Sequence, residues 1–64
     1  MNSNLLRSEM VKCGVTQKDL ARLIGMSENS MTNKLSGKRC FTLDEATKII
    51  EVLNIENPAE IFLR

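Results

Sequence analysis

Residues 28–35, ENSMTNKL, combine one carboxylate, two amides, two hydroxyls and one ammonium group with only two apolar side chains, Met31 and Leu35. Those two stand four positions apart, so in a helix they share one side and give it a narrow buried anchor. Glu28, Asn29 and Asn33 then point away from the anchor, with Ser30 and Thr32 toward the flanks. Such groups match the edges of base pairs in a major groove. An Asn amide pairs bidentately with adenine, Glu accepts from cytosine, and Thr can touch a thymine methyl. Lys38 and Arg39 follow beside Gly37, and cations in a short loop suit phosphate oxygens. Plainer readings stand beside these. Glu28 also favours the positive end of a helix dipole without any ligand, and Gln17, Lys38 and Arg39 could be simply solvated. Asn29 and Asn33 are poor interior helix formers, which makes a purely structural role less attractive.

Other chemistries lack their parts. The chain has no histidine and two cysteines, Cys13 and Cys40, too few thiolates or imidazoles for a metal centre. There is no phosphate-cradling glycine loop, no carboxylate pair flanking an obvious pocket and no general base near either thiol, so no enzyme is expected, and no cofactor or small-molecule substrate. No apolar run approaches a membrane span, and MNSNLLRSEM lacks the apolar stretch of a secretion signal. A cytoplasmic location with reduced thiols is expected, Cys13 being buried and inert. The net charge of +1 conceals a polarity. Residues 1–40 hold seven Lys or Arg against three acids, whereas residues 41–64 hold two against five. A basic half suits an anionic partner, and an acidic half suits the side turned away from it.

Sixty-four residues bury only a small core, which favours one domain, residues 1–64, built from helices with mostly local contacts. Five helical segments are legible. Asn2 or Ser3 caps the first, whose stripe Leu6, Met10 and Cys13 ends at Gly14. Thr16 and Asp19 form a capping box for the second, residues 17–24, with Leu20, Leu23 and Ile24 facing inward. Gly25 stands where a helix ends in the left-handed conformation. Met26 can tuck into the core, and Ser27 caps the third segment, which runs to Ser36 and stops at Gly37. The Thr42–Glu45 box opens the fourth, residues 43–53, with Ala46, Ile49, Ile50 and Leu53 on one face. Asn57, then Pro58, opens a short fifth helix at about residues 58–63. The tight corner at Gly25 makes the second and third helices cross steeply, a helix-turn-helix over about residues 17–36. Ala21 is small enough to let the third helix approach.

TQKDLARLIGMSENSMTNKLSGK, with the continuation GKRCFTLDEATKII, resembles the Cro/repressor-type helix-turn-helix family, also called XRE or lambda-repressor-like. The resemblance covers about residues 4–55 and implies an all-α, five-helix fold with a central helix-turn-helix. NPAEIFL is similar to the endings of small phage and prophage regulators. By position, the resemblance implies that Glu28, Asn29 and Asn33, with Thr32, read bases. Gln17 would contact a phosphate and brace the third helix, and Lys34, Lys38 and Arg39 would grip phosphates, with Lys18, Ser27 and Ser30 as further backbone contacts. Lys34 departs from the family, where that position is often apolar.

The expected function is a sequence-specific transcriptional regulator that binds a double-stranded DNA operator, without enzymatic activity. So small a module is expected to dimerise on a palindromic site. Ile61, Phe62 and Leu63 are the candidate interface, unless they close the monomer's own core. The competing reading is a protein-interaction or antirepressor module that keeps the fold without operator binding, for which the weak net charge and Glu28 argue modestly.

Overall fold

A computed structural model describes residues 1–63. Five helices follow one another: α1 (Ser3–Cys13), α2 (Gln17–Ile24), α3 (Glu28–Leu35), α4 (Leu43–Leu53) and α5 (Pro58–Phe62). The first four open on side-chain caps that satisfy otherwise orphaned N–H groups. Asn2 accepts from the Leu5 N–H, Thr16 from Asp19, Ser27 from Ser30 and Thr42 from Glu45. Reciprocal capping boxes are complete at α2 and α4. α5 instead opens with proline and no side-chain cap bond. α4 ends at Asn54 with φ 52°, a left-handed residue that asparagine tolerates better than other non-glycine residues.

One core joins all five helices. Leu6 and Met10 of α1, Leu20, Ala21 and Ile24 of α2, Met31 and Leu35 of α3, Ile49 and Leu53 of α4 and Ile61 of α5 are buried together, with Ile55 from the last loop. Three bonds tie distant parts of the chain to this frame. The Asn2 N–H donates to the Ile61 carbonyl at 2.7 Å, fastening the two ends of the chain. The Ser3 hydroxyl donates to the Leu35 carbonyl at 2.8 Å, and the Cys13 thiol to the Leu53 carbonyl at 3.3 Å. α1 is therefore held at one end to the last turn of α3 and at the other to the last turn of α4.

Three expectations are corrected. Leu23 is 57% exposed, because the buried stripe of α2 centres between Leu20 and Ala21 and Leu23 lies roughly 100° around the helix from it. Cys13 is exposed rather than buried, although its thiol is hydrogen-bonded, since the stripe of α1 stops at Met10. Ile61 belongs to the core, so it cannot form part of an interface between chains.

Candidate nucleic-acid interface

Gly25 makes the corner. Its φ of 79° places it in the left-handed region, and the Met26 N–H beyond it returns to the Ala21 carbonyl at 2.8 Å. This closed turn swings the chain from α2 into α3 within three residues and lets Met26 pack on the core. Ala21, 1% exposed, contributes no bulk between the helices.

Both flanks of α3 are then pinned. On a wheel of about 100° per residue, Thr32 and Lys34 lie on opposite sides of the Met31–Leu35 stripe, while Asn29 and Asn33 lie roughly across from it. Gln17 sits one turn before the buried stripe of α2 and faces α3, where its Nε2 donates to the Thr32 hydroxyl. That hydroxyl donates in turn to the Glu28 carbonyl at 2.9 Å, so the methyl is the part of Thr32 left for a ligand. This bond ties the first residue of α2 to the middle of α3.

The other flank holds a correction. Lys34, expected to grip a phosphate, turns into the molecule: its Nζ lies 2.5 Å from Glu45 Oε1, and its side chain is 13% exposed. The ammonium also stands 6.0 Å from the centroid of Phe41, close enough for a cation–π contact. Phe41 packs edge-on against Phe62, centroids 6.4 Å apart. Glu45 Oε1 additionally accepts from the Thr42 N–H at 2.9 Å. Its carboxyl is held below the ordinary glutamate range, first by Lys34 and then by the Thr42 N–H. Asp19 is likewise lowered, chiefly by its hydrogen bonding with Thr16.

Between the pinned flanks lies the outward face. Asn29 is exposed and Asn33 half-buried there, whereas Glu28, expected to point away from the anchor, lies on the Met31–Leu35 side of the wheel and is exposed because it opens the helix. Among the described residues, none of their side chains is engaged in a hydrogen bond or ion pair. The main-chain carbonyl of Asn33 organises the following loop, accepting from the Ser36 hydroxyl at 3.0 Å and from the N–H groups of Lys38 at 3.0 Å and Arg39 at 3.3 Å. Exposed Lys38 and Arg39 therefore stand directly after the outward face, while exposed Lys18 flanks the start of α2. Ser27 accepts from the Ser30 N–H and donates to its hydroxyl, both at 3.1 Å, leaving the Ser30 hydroxyl proton for a ligand.

Two contributors were not legible in the sequence. Ser3, distant along the chain, holds the last carbonyl of α3. Arg7 shares with Thr16 and Gln17 the wall of a groove of about 520 Å³, placing another exposed cation beside the start of α2. No local pattern signals either pairing, because both depend on how α1 packs.

A helix-turn-helix family model, the XRE type that includes Cro and lambda-repressor-like proteins, matches residues 6–61. The chain belongs to this family. Comparison with curated proteins and with solved structures returned no match. Membership makes the chain a DNA-binding helix-turn-helix regulator, and the family is typically non-enzymatic. Among the described residues no helix is long and apolar enough to cross a membrane, and no cluster of three metal-ligating side chains occurs.

Proposed function

We propose that this helix-turn-helix protein is a cytoplasmic, sequence-specific regulator of the phage or prophage repressor or Cro kind, which inserts α3 into the major groove of an operator. The observation that carries this reading is the outward face of α3: two amides, free of internal bonds, with the unpaired Glu28 carboxylate exposed at the helix start, on a helix pinned along both flanks. Preorganised donors and acceptors of this kind suit direct readout by Asn29, Asn33 and Glu28, with the Thr32 methyl as an apolar contact. Lys18, Lys38 and Arg39 supply phosphate affinity, and Gln17, Ser27 and Ser30 complete the backbone contacts.

The operator-bound form is a homodimer. Leu63 is 82% and Leu43 84% exposed, and together with half-buried Phe41 and Phe62 they border a groove of about 550 Å³. An apolar border of this kind on so small a protein supports a second copy as its occupant. A protein-interaction module is the second reading, favoured by the pairing of Lys34, which leaves Glu28 as the one unpaired charge on α3.

Selection of bound fragments from a random duplex pool tests the proposal. Enrichment of a near-palindrome with half-sites about 10 base pairs apart is expected. Recovery of the input distribution would remove the operator-reading function and leave the interaction module.

A further inference from the structure

The pairing of Lys34 with Glu45 has a role beyond packing. Lys34 is the only cation within α3, and it is adjacent to Asn33, whose carbonyl carries the Lys38–Arg39 loop. A lysine at this place, free to extend, would stand between the outward face and the phosphate-facing loop. Instead its ammonium is 2.5 Å from Glu45, beside the ring of Phe41, and the Glu45 carboxylate is itself fixed by the Thr42 N–H at the start of α4. The acceptor is thus anchored by the capping box, and the cation is drawn to it across two helices.

We propose that Glu45 is a positioning residue for DNA binding: it withholds the one cation of α3 from the phosphate backbone and so sets the salt dependence of the interaction. This rests on the DNA-reading function above. A lysine that neutralises a phosphate releases a counterion and adds about 0.9 to the steepness of log K against log salt, on any sequence. With Lys34 withheld, affinity for arbitrary duplex is kept low. Base-edge contacts then account for a larger share of operator binding.

The test uses four full-length proteins: the parent, Glu45→Gln, Lys34→Met and the double variant. Glutamine retains an acceptor for the Thr42 N–H, and a capping box works with either residue, so Glu45→Gln leaves α4 intact while removing the charge that holds Lys34. Methionine retains an unbranched apolar stem over Phe41. The probe is a mixed-sequence duplex about two helical turns long, titrated at several salt concentrations. The expected slope for Glu45→Gln is steeper than that of the parent by about 0.9, an extra loss of roughly 3.5-fold between about 50 and 200 mM salt. Lys34→Met keeps the parent slope, and the double variant returns to it. An unchanged slope in Glu45→Gln, or a slope flattened by about 0.9 in Lys34→Met, overturns the proposal. Amide hydrogen exchange at the last turn of α3 without DNA supplies an independent arm, with faster exchange expected in Glu45→Gln. If the parent shows no salt-dependent binding while that exchange difference is present, the pairing stands but the DNA-reading function fails, and the positioning role with it.

Discussion

Asn33→Ala tests the proposed base reading apart from the hydrogen bonds that its position makes within the fold. The Asn33 side chain makes no hydrogen bond among the described residues, while its main-chain carbonyl, which alanine retains, carries the three bonds to Ser36, Lys38 and Arg39. Alanine also has a higher helix propensity than asparagine, by roughly 0.5 kcal/mol. Stability should therefore rise slightly or stay put, with a change in Tm of about 4 °C at most for a domain of this size. Binding should behave differently. Loss of one bidentate contact with adenine removes about 1–3 kcal/mol of discrimination at a single base pair, or roughly 5- to 150-fold. The assay is competition between the best selected duplex and variants changed at one position at a time, with circular dichroism melts of both proteins as a control. Preference should collapse at one position per half-site and persist elsewhere. Equal loss on every duplex at unchanged Tm would refute direct readout by Asn33, and a flattened salt slope would transfer the residue to the phosphate contacts.

Lys38→Met should weaken binding on all sequences and lower the steepness of the salt dependence by about 0.9, measured by titration at several salt concentrations; an unchanged slope excludes this loop from the phosphates. Gly25→Ala should cost about 1–2 kcal/mol for the left-handed backbone alone, since a Cβ there meets no atom within 4 Å, and should appear as a lowered Tm in a thermal melt. Leu63→Asp should shift sedimentation toward monomer at concentrations where the parent is dimeric, without loss of Tm, because that side chain is exposed; no shift would exclude this border as the interface. Glu45 has a folded pKa below its unfolded one, so its contribution is fully present above the unfolded value, about 4.3, and is lost as pH falls through the folded value. Acid unfolding of Glu45→Gln followed by circular dichroism should accordingly be shallower than that of the parent below about pH 4.3.

How far each feature could be read depended on the range of the interaction behind it. Caps were legible at Thr16–Asp19, Ser27 and Thr42–Glu45 because donor and acceptor lie within three residues, where chain geometry alone brings them together. The corner at Gly25 was legible for the same reason. Exposure was harder at the edges of a stripe. Leu23 and Cys13 fit an apolar spacing, but a small core has room only for the centre of each stripe. At the candidate site, the outward position of Asn29 followed from the Met31–Leu35 anchor. Glu28, three residues before Met31, shares the anchor's side and is exposed only because it opens the helix, and the fate of Lys34 could not be read either.

From sequence alone came the helical segments, the sharp turn between the second and third, and the polar character of the surface that α3 presents, since periodicity and capping are local properties of the chain. Only the packed molecule decided which charges remain available. Glu45 lies eleven positions from Lys34 and Ser3 thirty-two from Leu35, and such meetings depend on where α1 and α4 settle against α3. The same packing buried Ile61 and left Leu63 in solvent, because α5 docks through Ile61 and ends at Phe62, so that Leu63, its cap, lies beyond the docked turn.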